Sequence, residues 1–298
     1  MPIGLALGLL ASLFWGATDL SGALASRRVG SVGVLAGTQM TSLVLLAVIA
    51  ILNASLLSAS ALPGFVIGLA LGVVAAAAYL SFYAALRIGP ISVVSPVVAA
   101  YGGLTVVLAV VFRGESLAPL QGLGAFVATA GIVLTGLELG GSLRETRLVG
   151  RGVAIALVTL VLFAVLTILL AGPIKDHGWL PVMLGSRLTN ATVGAMLLGV
   201  ALARRDGPMG SLLGPPGGLT RRALLLVLLA GTCDLVGFVS YTIGLEVAPT
   251  WLVGLASSFG PALVVLVAVA FLGERLRPSQ WLGLAMLAGG LVLLALAG

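Results

Sequence analysis

The chain has 298 residues, of which 60% are hydrophobic and 8% are charged, and its mean hydropathy is +1.24. Soluble domains are far less apolar, so the composition excludes a soluble globular protein. The net charge of +6 would suggest a nucleic-acid partner for a soluble protein. Here almost every arginine and lysine lies between apolar segments, where charges orient membrane spans, and we expect no nucleic-acid partner.

In chain order, charges, prolines and glycines divide the sequence into ten apolar segments, each about long enough to cross a bilayer. The predicted spans are residues 3–25, 31–52, 62–86, 91–112, 120–137, 149–171, 178–202, 221–245, 249–271 and 278–297. Helices satisfy their own backbone hydrogen bonds in lipid, whereas barrel strands would show alternating hydropathy. The predicted fold class is therefore an all-α membrane protein with ten transmembrane helices.

The sequence also repeats itself at two fixed offsets. Residues that recur 159 positions later are Pro90, Phe112, Gly114, Glu115, Leu117, Pro119, Gln121, Gly124 and Gly131. Upstream the offset is 148, which places Gly37–Ser42 against Gly185–Asn190. Five spans are an odd number, so the second half enters the membrane from the opposite side, as in the inverted repeats of transporters. We predict two inverted five-helix repeats, residues 1–140 and 141–298, with a site between them.

Several motifs support a family assignment. Trp15-Gly16 lies in the first span, Arg187 lies early in the seventh, and Gly-Glu-x-Leu junctions occur at Gly114–Leu117 and Gly273–Leu276. With these motifs the whole chain resembles the drug/metabolite transporter superfamily, in particular its ten-helix EamA-type members. The resemblance implies an exporter or importer of amino acids, metabolites, sugars or drugs. Gln39 stands where the family often has a second arginine, which puts a symmetric two-arginine site in doubt.

Three charged residues lie inside predicted spans, where a charge costs on the order of 2.5–3.5 kcal/mol and usually faces a cavity or a partner. They are Asp19, Arg187 and Asp234. By depth, Arg187 and Asp234 can pair, whereas Asp19 lies closer to Gln39 than to Arg187. A carboxyl without a cationic partner can exchange protons near neutral pH, so we predict that Asp19 couples proton movement to transport. A structural Asp19 is the alternative.

Arg187 also has two interpretations. Its guanidinium suits a substrate carboxylate or phosphate. The alternatives are a permanent ion pair with Asp234 or a side chain that reaches the interface.

The first helix carries one stripe at helical spacing, predicted to face a central cavity, and a second face suited to close packing. The stripe is Ser12, Trp15, Asp19, Gly22 and Ser26, and the packing face has Gly4 and Gly8. Phe238 and Tyr241 on the eighth helix match Tyr79 and Phe82 on the third, which predicts two aromatic walls for an amphipathic or zwitterionic substrate. Plain packing of these rings is the alternative.

The residues predicted to bind substrate are Trp15, Asp19, Gln39, Tyr79, Arg187, Asn190, Asp234, Phe238 and Tyr241. Gly and Pro interruptions at matching positions of two halves indicate a transporter site or hinge. They predict a hinge at Gly102, Gly103, Gly260 and Pro261, although kinks can also be static.

Two other features are interpreted as structural. Glu115 and Glu274 are duplicated carboxylates at span ends on opposite membrane faces, so they cannot form one acid–base pair. His177 is placed in a short polar loop with Lys175 and Asp176.

The positive charges are distributed unequally. Twelve arginines are predicted on one side of the membrane, against Arg113 and Lys175 on the other, with Arg187 left out. The positive-inside rule then places the termini outside the cytoplasm, whereas the family resemblance implies termini inside.

We predict a secondary transporter, an exporter or an importer of a small metabolite or drug, that works by alternating access in the plasma or bacterial inner membrane, with Asp19 as its proton-coupling residue. A channel or a non-transport scaffold is the alternative. A single histidine and a single cysteine leave little material for catalysis or a metal site, so we expect no enzyme and no cofactor. We expect a monomer or homodimer whose partners are the lipid bilayer and the small-molecule substrate.

Overall fold

The computed structural model describes residues 2–54, 61–89, 91–136, 146–260 and 278–296. All the regular secondary structure within these ranges is helical. The helices are α1 (Pro2–Leu52), α2 (Leu62–Ile88), α3 (Ile91–Ala99), α4 (Tyr101–Arg113), α5 (Pro119–Gly136), α6 (Thr146–His177), α7 (Trp179–Ala203), a 3₁₀ helix (Pro208–Leu212), α8 (Arg221–Val247), α9 (Thr250–Ser257) and α10 (Pro278–Leu296). Within the described ranges six segments are long and apolar enough to cross a membrane, which identifies a multi-pass α-helical membrane protein.

Helix α1 consists of two limbs that run in opposite directions on either side of Gly30. On the first limb, Gly4 packs against Ala248 beyond the end of α8, and the Thr18 hydroxyl donates to Ala230 near its start. The second limb runs parallel to α8, where the Ser42 hydroxyl donates to the Gly231 carbonyl at 2.8 Å. Gly30 has φ of 80°, a conformation open to glycine but strained for other residues.

Gly178 makes the same turn in the second half. It separates α6 from α7 with φ of 82°, and it lies 148 residues after Gly30. The loops predicted around 26–30 and 172–177 are therefore wrong, since both segments are helical up to a single glycine. Pro173 lies inside α6, where it removes only one backbone donor, so Lys175, Asp176 and His177 form the last helical turn.

The glycine contacts between helices repeat at the offsets seen in the sequence. A Cβ at Gly72 would lie 2.5 Å from the Thr189 Cβ, and one at Gly231 would lie 2.7 Å from the Thr41 Cβ. Gly72 and Gly231 differ by 159, and Thr41 and Thr189 differ by 148. The two halves therefore pack through equivalent contacts related by an approximate two-fold axis.

Because of the same symmetry, two helical segments of each half pack against one helix of the other half. The two limbs of α1 pack on α8, and α6 with α7 pack on α2. Equivalent helices run in opposite directions, as α5 and α10 show: Gly131 approaches the Gly283 carbonyl, and Gly290 approaches the Gly124 carbonyl. Small residues let these backbones approach closely, the usual way in which helices associate in lipid.

Helix breaks fall at matching positions. Ala100 separates α3 from α4, and Ser258-Phe259 follow the end of α9. The fourth predicted span is therefore two helices. Phe259 lies 159 residues after Ala100.

The loop that follows α7 contacts two of the arginines predicted on the same side of the membrane. Arg87 donates to the Ser211 carbonyl and, at 2.9 Å, to the Leu213 carbonyl, while Gly214 lies against the Arg28 carbonyl beside Gly30. Arg28, Arg87 and the loop that follows α7 therefore share one end of the molecule. Pro90, Pro261 and the second Gly-Glu-x-Leu junction at 273–276 lie outside the described residues.

Candidate functional site: a cavity between the halves

A cavity lies between the two halves. Its walls come from α1, α2, α3 and α4 of the first half, and from α6, α8 and the segment that follows α9 in the second. Because the helix breaks at Ala99-Ala100 and Ser257-Ser258 lie at its edge, the cavity borders both interrupted helices.

Seven aromatic side chains line this cavity, and we call them the aromatic wall. They are Trp15, Tyr79, Phe82, Tyr101, Phe163, Phe238 and Tyr241. The Trp15 ring lies 5.2 Å from the Tyr241 ring, and Phe163 meets Tyr79 edge-on at 5.5 Å. Trp15 fits against α8 because position 237 is glycine, where a Cβ would lie 2.7 Å from the indole.

A buried ion pair lies against the wall, and its acid, Asp234, is among the residues that line the cavity. An Arg187 Nη atom lies 2.8 Å from Asp234 Oδ2, and both side chains are 1% exposed. The Tyr79 hydroxyl donates to Asp234 Oδ1 at 2.9 Å, and the Ser42 hydroxyl donates to Oδ2 at 3.3 Å. The guanidinium carbon lies 4.4 Å from the centre of the Phe238 ring and 5.5 Å from that of Tyr79. The pairing of Arg187 with Asp234 that depth predicted is therefore present.

Gln39 joins this pair on the approximate two-fold axis. Arg187 donates to the Gln39 side-chain oxygen, and the Asn190 amide donates to the same oxygen at 3.3 Å. Gln39 and Arg187 are equivalent positions of the two halves, so their contact lies at the axis.

Asp19 occupies a different part of the cavity. The Ser95 hydroxyl donates to Asp19 Oδ2 at 2.6 Å. Within the described ranges no arginine or lysine forms an ion pair with Asp19, since the two ion pairs found there are Arg187–Asp234 and Arg113–Glu115. This agrees with the expectation that Arg187 does not neutralise Asp19.

The structure brings six of the nine predicted binding residues to the cavity and leaves three behind it. The six are Trp15, Asp19, Tyr79, Asp234, Phe238 and Tyr241. Gln39, Arg187 and Asn190 belong to the buried network and are not among the residues that line the cavity. Elsewhere on the first-helix stripe, Ser12, Gly22 and Ser26 are buried in helix contacts, and Gly4 and Gly8 do pack closely, as predicted.

Sequence reasoning missed several residues that line the cavity. Phe163 and Thr167 on α6 lie there, as do Ser95 on α3 and Ser257-Ser258 after the α9 break. The sequence signal for Thr167 was its position opposite Asp19 at the 148 offset, and that for Ser95 was its neighbour Pro96. Phe163 lies in a uniformly apolar segment with no such signal.

The predicted hinge glycines lie next to the helix breaks, not at them. Gly102 and Gly103 are inside α4, where added Cβ atoms would lie 2.3 Å from the Ser258 hydroxyl and from the Thr129 methyl. Gly260 follows the α9 break and faces the backbone of Gly16. These glycines allow close packing beside the cavity.

Glu115 connects the two halves at the opposite end of the molecule from Arg87. Its two side-chain oxygens accept from the backbone N–H groups of Thr250 at 3.1 Å and Trp251 at 3.0 Å, which are unpaired donors in the first turn of α9. Burial raises the pKa of Glu115, but these hydrogen bonds and Arg113 outweigh burial and hold the pKa below its usual value. Glu115 therefore makes a structural contact, as predicted, and its partner is the first turn of α9.

Comparison with known proteins identifies the family. The model of the EamA-like transporter family matches residues 2–137 and 150–296, so the chain belongs to that family. No curated protein matches. A solved structure described only as a crystal structure of a protein shares the fold, with a TM-score of 0.75 and 18% identity, over 99% of this chain and 97% of that one.

Proposed function

We propose that this member of the EamA-like transporter family is a secondary transporter that moves a small metabolite or drug by alternating access. In this proposal ten spans form two inverted five-helix repeats, residues 1–140 and 141–298. The observation that carries the proposal is the position of the cavity. It lies between the two halves and borders a helix break in each, so movement of one half against the other would change its exposure.

The family consists of membrane transporters of small molecules, and the proposal adds a mechanism to that description. The cavity would bind its substrate through the aromatic wall and Asp19. The Arg187–Asp234 pair and its partners Gln39 and Asn190 would hold the wall in place. The glycines at 102, 103 and 260 would allow neighbouring helices to slide, with Pro261 as a further hinge position.

Counterflow in proteoliposomes tests the proposal. Vesicles loaded with an unlabelled solute are diluted into a trace of the same solute in labelled form, across amino acids, sugars, nucleosides and amines. A carrier accumulates the label transiently by exchange. A channel or scaffold shows no such accumulation, and that result for every solute would overturn the proposal.

Two neighbouring leucines of α6 provide matched variants. Leu170 lines the cavity and is 1% exposed, whereas Leu169 is 44% exposed. Leu170→Trp should fill the cavity and abolish counterflow, and Leu169→Trp should retain it. Size-exclusion chromatography in detergent checks that both variants are folded.

We also propose that Asp19 couples transport to protons. The supporting observation is that its only hydrogen bond within the described ranges comes from Ser95. Asp19→Asn should lose uphill uptake driven by a pH gradient, whereas Asp206→Asn, in an exposed loop, should keep it. Full uphill uptake by Asp19→Asn would exclude the coupling role.

A further inference from the structure

We infer that the ligand of this cavity is a monovalent organic cation with an apolar body. The inference rests on the proposed function, because it concerns the same cavity, and it adds the charge of the substrate. Counting the charged residues in the spans suggests a zwitterionic or amphipathic substrate, since one base and two acids are available. The contacts between those residues change this expectation, because the base pairs with one of the two acids.

The positive charge of Arg187 is already paired with a group of the protein itself. Its guanidinium pairs with Asp234 and donates to Gln39, and the Phe238 and Tyr79 rings lie over it. Asp234 in turn accepts from Tyr79 and Ser42. The Nε atom and one Nη atom of Arg187 make no hydrogen bond to the described residues, but the side chain is 1% exposed and does not line the cavity. A substrate carboxylate in the cavity therefore could not reach these donors unless the rings over the guanidinium moved.

Among the lining residues that the structure describes, Asp19 carries the negative charge that remains. The equivalent of Asp19 in the second half is Thr167, which accepts a hydrogen bond from the Tyr241 hydroxyl at 2.6 Å. Phe82 occupies the position equivalent to Tyr241 and has no hydroxyl to donate. The first half therefore has the Asp19 carboxylate where the second half has Thr167. It also lacks the hydroxyl that, in the second half, Tyr241 donates to that threonine.

The aromatic wall favours the same charge. Ring faces are the negative part of an aromatic quadrupole and attract cations, and the same rings bury an apolar body. The wall contributes seven rings, and the lining residues that the structure describes include no unpaired cation. An anion would meet ring faces and Asp19 together, and a zwitterion would leave its carboxylate without a partner.

A series with one ring and four charge states tests the inference. Binding of radiolabelled phenethylamine to the purified protein in nanodiscs is measured, with competition by 2-phenylethanol, 3-phenylpropionate and phenylalanine. These compounds are cationic, neutral, anionic and zwitterionic at neutral pH. Phenethylamine should bind at least tenfold more tightly than each of the other three.

Variants of Asp19 separate charge from folding. Asp19→Asn should weaken phenethylamine binding at least tenfold, while Asp19→Glu, which keeps the charge, should stay within tenfold of the original protein. Asp206→Asn is the control for loss of an acid elsewhere. Unchanged binding by Asp19→Asn, or no binding by Asp19→Glu, would overturn the inference.

The outcomes distinguish the charge of the substrate from the transport mechanism. Tighter binding of phenylalanine or 3-phenylpropionate, or binding of none of the four, overturns the cation inference. Counterflow of a zwitterion or an anion would then still support a carrier. Binding of phenethylamine without counterflow of any solute would support the cation site and overturn the carrier.

Discussion

Gln39 and Ala75 in the first half occupy the positions that Arg187 and Asp234 occupy in the second. Around these positions the two halves are alike, since Gly72 and Gly231 meet Thr189 and Thr41 through matching contacts. At the positions themselves the halves differ, because only the second supplies an ion pair. The comparison teaches that backbone packing was kept in both copies while the polar groups were free to diverge, because packing in lipid depends on small residues that both copies need.

The largest expected effect comes from making the two halves alike at the ion pair. Arg187→Gln and Asp234→Ala each introduce the residue of the first half, and each leaves the partner charge buried. Either single change should cost about 3–5 kcal/mol of stability, because an unpaired buried charge is strongly unfavourable. Thermal unfolding in detergent, followed by size-exclusion chromatography, measures the effect.

The double variant Arg187→Gln, Asp234→Ala is the control for this prediction. It removes both charges and should recover a large part of the lost stability. If each single variant unfolds at the temperature of the original protein, the pair does not stabilise the folded protein.

An intermediate effect should follow from the glycines that the halves share. Gly72→Ala and Gly231→Ala place a Cβ within 2.5 and 2.7 Å of a threonine Cβ, so each should destabilise the protein by about 1–3 kcal/mol. The two losses should be similar, because the contacts are equivalent.

Gly199→Ala on α7 is the matched control, since nothing lies within 4 Å of a Cβ at that position. This variant should be as stable as the original or slightly more so. Strongly unequal losses for Gly72→Ala and Gly231→Ala would show that the packing symmetry is weaker than the contacts indicate.

The smallest effect is expected at Glu115, which contacts the start of α9. Its pKa is lower in the folded protein, so its carboxylate stabilises the fold above the unfolded value of about 4.5. This contribution is lost as the pH falls through the folded pKa. Glu115→Gln should therefore lower the melting temperature modestly at pH 7, and the difference should shrink below pH 4.5.

Melting curves of both proteins from pH 7 to pH 3.5 provide the measurement. Glu246→Gln, at the end of α8 on the same side of the molecule, is the control for loss of an acid without the contact to α9. A constant difference between Glu115→Gln and the original protein across this range would contradict the role of the charge.

Much of the fold was predictable because lipid imposes a simple requirement on sequence. The apolar lengths identified a multi-pass helical membrane protein, and the offsets identified the equivalent residues. The loops were harder, since a single glycine such as Gly30 or Gly178 reverses the chain without a polar segment to mark it. The candidate site was predictable where a residue was unusual for a span, as with Asp19 or Trp15, and not where it was ordinary, as with Phe163.

The sequence by itself determined the helical class, the repeat and the inventory of three intramembrane charges, because each depends on composition and spacing along the chain. Only the tertiary structure decided how those charges are used. It paired Arg187 with Asp234 against the aromatic wall, brought Gln39 to the axis and left Asp19 beside the cavity with Ser95. The physical reason is that the strength of an interaction between charges depends on the distance and the medium between them, and both are set by helices far apart in the sequence.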